Sequence, residues 1–420
     1  MIKSASDRSI FIWNMLGSVS TAAVSVLLLL VVSRFLTKLE ADIFSFAYSI
    51  GNLMVVVGMF QVRNYQGTDI KEKYSFVTYF NARIISSLIM VTATIFYILL
   101  HHFTLYKGLV IFYICLYRLT DAVSDLFQGL YQQKQRLDIA GKYLFYRNVL
   151  VFASFLVCIV VLKDLVLSIA IVCLMSSGFI LLYDFKTSFN FLSWEFRELF
   201  QWKLFEKSIQ LLKETFPLFL NGFLLIYIYN NPKYSLNTIF EQGNLAEGMQ
   251  TDFNILFMPA FIMNLLVLFF RPYITEMAIA FFDKRISDFK RLEKSIIVFL
   301  TLVSVVIILL SAFLGIPFLN ILFGSQLNQY WDVFMILMVG GSIGSLAMAF
   351  DNILTVLRSQ NLLIIPYLCG FISSIIVTNT LVSKFLLLGA SISFLIAMTV
   401  WLASSFILYI FVKKRVLSYE

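Results

Sequence analysis

One apolar stretch of this chain carries an unusual load of ionisable and amide side chains. Arg118, Asp121, Asp125, Gln128, Gln132 and Arg136 follow one another at spacings of 3, 4, 3, 4 and 4. On an α-helix that spacing gathers them into an arc of about 80°. Charges inside an apolar run are costly and usually functional. Arg118 can pair with either aspartate, which leaves one carboxylate in surplus. Two chemistries fit the surplus. One is reversible protonation or Na⁺ binding that couples the protein to an ion gradient. The other is an ion-pair network that closes one side of a helix bundle. Elsewhere the reactive residue types are sparse. His101 and His102 adjoin no Cys or carboxylate cluster, and Cys115, Cys158, Cys173 and Cys369 all lie in apolar runs. Neither a metal site nor a disulfide frame is expected from them. The chain holds no Gly-rich phosphate loop, metal motif or nucleophile motif. An enzyme is therefore not expected, nor a cofactor beyond H⁺ or Na⁺ as a coupling ion.

The elements that must position these residues follow from composition. Of 420 residues 60% are apolar and 13% charged, about half the charged share of a soluble domain. Mean hydropathy is +0.88. A soluble fold could not hide so much apolar surface, and a disordered chain would be more charged and less apolar. Twelve runs are long enough to cross a bilayer: roughly 10–36, 41–62, 84–103, 108–131, 144–162, 165–185, 214–231, 253–281, 295–316, 331–357, 362–383 and 385–411. An all-α polytopic membrane protein is the expected class. With both termini in the cytoplasm, inside segments hold 24 Lys and Arg against 6 outside, residues at span ends being counted with the adjoining loop. This asymmetry supports that orientation. The net charge of +8 then reads as basic loops facing anionic lipid, not as a nucleic-acid partner.

The runs fall into two sets of six. The stretch 186–213 mixes aromatic and aliphatic residues with Lys and Arg, as an interfacial amphipathic helix does. The expected organisation is an N-terminal six-helix bundle over 1–185, a cytoplasmic linker over 186–213 and a C-terminal six-helix bundle over 214–420. The second and eighth runs both close on Arg-x-Tyr, at Arg63–Tyr65 and Arg271–Tyr273, 208 residues apart, and the fourth and tenth place Asp125 and Asp351 at similar points. A parallel duplication about an axis along the membrane normal accounts for both.

Taken in order, FIWNMLGS at 11–18, LLKETFPLFLNG at 211–222 and FFRPYITE at 269–276 resemble the polysaccharide-transport branch of the multidrug/oligosaccharidyl-lipid/polysaccharide (MOP) exporter superfamily. The segments 63–83 and 125–138 are similar to teichoic-acid and capsule-type flippases of Gram-positive bacteria. The resemblance spans nearly the whole chain. It implies two six-helix bundles around a central cleft lined by the first, second, seventh and eighth helices. It also implies alternating access that moves an undecaprenyl-diphosphate-linked oligosaccharide, capsule unit or teichoic-acid precursor across a bacterial cytoplasmic membrane. Partners would be that lipid-linked glycan and membrane lipid, with the chain acting as a monomer.

A glycan-diphosphate left bare in hydrocarbon would cost many kcal/mol, so the wall should show polar stripes with a few arginines. Asn14, Ser18, Thr21 and Ser25 share one face of the first helix. Ser45, Ser49, Asn52 and Arg63 share one face of the second, and Asn264, Arg271 and Thr275 one face of the eighth. Asn14, Asn52, Asn264, Arg63 and Arg271 are the candidate substrate contacts. The two arginines are the phosphate ligands, because a guanidinium keeps its charge and its fork matches phosphate oxygens. The same small polar residues also serve plain helix packing. Two alternatives remain: a cation-coupled multidrug exporter of the same fold, which would favour acidic residues, and a membrane polysaccharide polymerase, which would need a large outside loop.

Overall fold

The computed structural model describes residues 7–69, 72–192, 201–263 and 270–417. Every regular element among them is helical, with no strand. The chain divides into two compact units, Met1–Phe223 and Leu224–Glu420.

The first unit opens with α1 (Asp7–Phe35) and α2 (Lys38–Met59). Thr37 and Glu40 start α2 as a capping box, each satisfying a backbone N–H at the helix mouth. Phe60 and Gln61, both in the left-handed region, end it and turn the chain into the short α3 (Val62–Gln66). Then come α4 (Phe76–Leu100), α5 (Leu105–Gln133), α6 (Leu137–Leu162) and α7 (Leu165–Phe179). The last continues through a π-helical turn, Ile180–Phe185, into α8 (Lys186–Ser188). Compared with the expected spans, α4 and α6 begin several residues earlier. That draws Arg83, expected just before a span, into buried helix, and sets Arg147, expected near the start of its span, a further two turns inside α6.

Helix α9 (Trp202–Glu241) is continuous for 40 residues. Part of the expected 186–213 linker and the seventh span thus form one helix, and residues 193–200 lie outside the described set. The start of α9 docks on the first unit, where Phe219 stacks on Phe60 with ring centroids 4.3 Å apart. The second unit holds α10 (Met249–Met263), α11 (Arg271–Phe282), α12 (Ile286–Phe323), α13 (Trp331–Val356) and α14 (Ile364–Leu417). Leu386, at φ 50° and ψ −124°, breaks α14 into two arms, matching the eleventh and twelfth runs. Nine stretches among the described residues are long and apolar enough to cross a membrane. α5 is long enough too but carries Lys107, Arg118, Asp121 and Asp125. The molecule is an all-α polytopic membrane protein.

With lipid as solvent, helix association depends on close packing instead of a hydrophobic gain. The α1–α6 pair shows how close. A Cβ built on Gly141 would lie 2.2 Å from the Trp13 carbonyl oxygen, and one on Gly17 would lie 2.8 Å from that of Gly141. Both obstacles are backbone, so neither can yield as a side chain would. Gly141→Val is expected to destabilise the first unit by about 1–3 kcal/mol. A lower thermal midpoint of the purified variant would show it, and an unchanged midpoint would contradict the packing.

Candidate functional site

The 3-4 spacing of α5 does gather Arg118, Asp121, Asp125 and Gln128 on one helix face, and three other helices bring arginines to it. Asp125 Oδ1 accepts from Arg63 Nη1 of α3 at 3.3 Å, and its Oδ2 from Arg83 Nη2 of α4 at 3.0 Å. Gln128 Oε1 accepts from Arg63 Nη1 at 2.8 Å. One helical turn away, Asp121 is bound through Oδ2 by Arg118 and through Oδ1 by Arg147 of α6. Arg147 also donates to the Thr120 carbonyl at 3.1 Å. The Arg118 guanidinium lies 5.6 Å from the centre of the Tyr48 ring on α2. Arg83 donates to the carbonyl of Gly58, which Ser86 Oγ also reaches at 2.7 Å. That carbonyl stands in the last turn of α2, where no intrahelical donor follows. Arg83 and Arg147 are 2% and 3% exposed.

This geometry corrects the charge count made from α5 alone. Two carboxylates meet four guanidinium groups, so the surplus is positive. Asp121 and Asp125 are each shared by two arginines, the arrangement of a structural network. Arg83 and Arg147 were missed because they adjoin loops in sequence. The available signal was that each lies within a turn or two of a long apolar run, where a charge must find a partner. Arg136 leaves the α5 stripe altogether. It pairs with Asp138, its Nε 2.8 Å from Oδ1.

A further acid escaped the sequence reading. Asp184 lies in the π-helical turn after α7 and is 1% exposed. Its Oδ2 receives only a long contact from Ser124 Oγ, 3.4 Å, and its Oδ1 has no hydrogen-bond partner. No Lys or Arg lies within salt-bridge distance of it among the described residues. π-turns inside helices concentrate at functional sites.

The remaining predicted residues are spread out. Asn14 is exposed on α1, and Asn52 is half-buried on α2. The small polar residues near Asn14 serve packing: Asn148 Nδ2 of α6 donates to Ser20 Oγ at 3.0 Å and Thr21 Oγ1 at 3.1 Å. The Arg63 side chain keeps 30% of its surface exposed. Arg271 is the first residue of α11, followed by Pro272 at a position that suits proline. Asn264 lies outside the described residues. In the second unit, Asp351 of α13 matches Asp125 in sequence but not in setting. It accepts from Ser405 Oγ at 2.8 Å and Trp401 Nε1 at 3.3 Å, both neutral donors. No cationic partner bonds it among the described residues.

The loop after α3, which follows Arg63, is tied down by Asp69. Its carboxylate accepts from the backbone N–H of Lys73 (2.9 Å) and Tyr74 (3.1 Å) and from the Tyr79 hydroxyl (2.8 Å). Gln133 of α5 donates to its carbonyl at 2.8 Å. Burial alone would raise the carboxyl pKa, but these donors together hold it below the usual carboxylate value. A depressed pKa in the folded state adds stability above the unfolded value, about 3.9 for Asp, and loses it as pH falls through the lower folded value. The thermal midpoint of Asp69→Asn should therefore fall below that of the parent at neutral pH. The gap should narrow as the medium is acidified past about pH 4. A pH-independent gap would assign the effect to packing.

No family model matches the chain, and no curated protein matches its sequence. Solved structures do match its fold. A structure described as the inward-facing conformation of a multidrug resistance MATE family transporter of the MOP superfamily is 13% identical. The match covers 100% of this chain and 96% of that one, with a TM-score of 0.62. A MOP superfamily transporter from Pyrococcus furiosus, whose binding pocket is described as reversed in polarity, is 11% identical over 98% and 95%, again at 0.62. A MATE transporter of Vibrio cholerae is 12% identical over 98% and 97%, at 0.61. The chain has the fold of these transporters.

Proposed function

We propose, from this fold and the charges built into it, that the chain is a flippase. Its substrate would be a lipid-linked glycan: an undecaprenyl-diphosphate oligosaccharide, a capsule unit or a teichoic-acid precursor. The observation that carries the reading is the excess of arginine over carboxylate in the α3–α6 network. Surplus positive charge in that network suits an anionic head group and disfavours cationic drugs. Arg63, the most exposed member of that network, has guanidinium surface left for a phosphate after binding Asp125 and Gln128. Arg271, at the matching place in the second half, is the proposed second phosphate ligand. The lipid tail would stay in the bilayer while the head group crosses, in a bacterial cytoplasmic membrane with both chain termini inside. Neither residue performs bond chemistry, and no cofactor is needed beyond a coupling H⁺ or Na⁺.

Coupling, on this reading, passes from Asp121 and Asp125 to Asp184 and Asp351. Asp121 and Asp125 each have both carboxylate oxygens engaged by arginines, which leaves no oxygen for a coupling ion. Asp184 and Asp351 are bonded by neutral donors alone, and Asp184 Oδ1 has no partner, so each has oxygen to offer a coupling ion. The same two acids give a second reading its support: a cation-coupled multidrug exporter of the same fold would need such groups as well.

Arg63→Gln tests the substrate reading with little risk to the fold, since Arg83 remains on Asp125. In cells, Arg63→Gln and Arg271→Gln should each cause lipid-linked precursor to accumulate in the inner leaflet, with Arg271→Lys restoring part of the flux. Wild-type transport by Arg271→Gln at normal expression would remove Arg271 from the site. The same result for Arg63→Gln would remove Arg63.

A further inference from the structure

We infer that Lys233, in the second unit, holds an acidic group of the transported glycan, either a sugar carboxylate or a phosphate. Lys233 lies on α9, about two turns before that helix ends at Glu241. Its ammonium stands 4.5 Å from the centre of the Phe257 ring on α10. That ring is 2% exposed and packs on Tyr229 and Phe394, at centroid distances of 6.1 and 4.8 Å. The contact turns Lys233 toward the interior of its unit, whereas a lysine that only snorkels reaches for the membrane surface. Among the described residues no carboxylate pairs with this ammonium, and no oxygen accepts from its three N–H donors.

A charge in an apolar helix is costly, and the face of a ring returns only part of that cost. Arg83 and Arg147 meet it with carboxylates on another helix. Lys233 has none, so a ligand must bring the counter-charge. The neighbouring amides indicate what kind of ligand. Asn230 precedes Lys233 by one turn on the same face of α9, and Asn254 precedes Phe257 by one turn on α10. The Nδ2 of each donates to a carbonyl of its own helix, Ile226 at 2.9 Å and Gln250 at 3.1 Å. Their Oδ1 atoms are left as acceptors. An ammonium beside amide oxygens matches an acidic sugar or a glycerol phosphate, whose oxyanion meets the first and whose hydroxyls meet the second. Chloride or a bare inorganic anion offers no such hydroxyls. The inference rests on the flippase reading and narrows it, since the favoured lipid-linked glycans would be those carrying an acidic unit.

The thermal midpoint of the purified full chain, titrated with galacturonate, glycerol phosphate and galactose at constant ionic strength, tests it. At least one of the two acids should stabilise the parent at concentrations roughly tenfold below those galactose needs, the size of a hydrogen bond to a charged group. The acid that does so fixes the oxyanion as carboxylate or phosphate. Lys233→Gln should bring the acids level with galactose, while Lys233→Arg keeps most of the difference. Lys413→Gln, which removes a cation already bound to Glu293, should respond as the parent does. The inference is overturned if neither acid outdoes galactose on the parent, if Lys233→Gln keeps the difference, or if Lys413→Gln loses it equally. It is also overturned if sodium chloride at the same ionic strength stabilises the parent as well as the acids do. These probes carry no lipid and need no transport, so their outcome is separate from that of the flippase reading. That reading fails on its own if lipid-linked diphosphate does not move in proteoliposomes.

Discussion

Asp125→Ala should leave little folded protein in the membrane. The substitution strands Arg83, 2% exposed on α4, beside Arg63 with no anion between them. Removing one partner of a buried ion pair typically costs about 3–5 kcal/mol, because the other charge stays behind. The Gly58 carbonyl and Gln128 remain as neutral acceptors and soften the loss only in part. Asp125→Asn should lie between parent and Ala, since its carbonyl oxygen still accepts one guanidinium N–H. Arg83→Met together with Asp125→Ala should recover folded protein relative to Asp125→Ala alone, by removing the stranded charge. Fluorescence-detected size exclusion of the three variants reads this order directly. Normal accumulation of Asp125→Ala would mean that the network does not hold the helices. It would also return Asp125 to the list of coupling candidates.

Asp351→Asn should do the opposite, sparing the fold and stopping the cycle. No Lys or Arg bonds Asp351 among the described residues, and its partners can adapt: the Ser405 hydroxyl can turn to accept from the new amide while Trp401 Nε1 still donates to the amide oxygen. What the amide cannot do is change charge. Transport driven by an imposed H⁺ or Na⁺ gradient should fall roughly tenfold or more, a typical size for a lost coupling free energy, with no loss of protein. Asp184→Asn should behave likewise if the π-helical acid shares the task. Gradient-driven transport at the parent rate in both variants would eliminate both as coupling groups, and loss of folded protein would make them structural.

Fold class was legible because membrane spans announce themselves by length and apolarity, and most expected runs correspond to helices. Their boundaries were less so. Hydropathy, which scores each residue alone, places Arg83 and Arg147 at the start of apolar runs. In three dimensions each is tolerated in the interior by a carboxylate on another helix, a pairing that sequence spacing does not encode. The α5 stripe was legible for a complementary reason: its residues share one helix, so the 3.6-residue period brings them together. The same limit explains the surplus charge. Counting along α5 finds one arginine for two aspartates, whereas the fold supplies three more from α3, α4 and α6. Asp351 shows the reverse case, since its likeness to Asp125 in sequence position says nothing of the neutral donors around it.

The central claim is that the surplus positive charge of the α3–α6 network serves an anionic, lipid-linked head group. Purified protein in proteoliposomes can be offered a fluorescent undecaprenyl-diphosphate oligosaccharide and, separately, ethidium, under the same ion gradient. The account predicts movement of the lipid-linked diphosphate between leaflets, slowed in Arg63→Gln at equal reconstitution, and no gradient-driven ethidium transport. Ethidium extrusion without movement of the lipid-linked diphosphate would contradict it and make the chain a drug exporter.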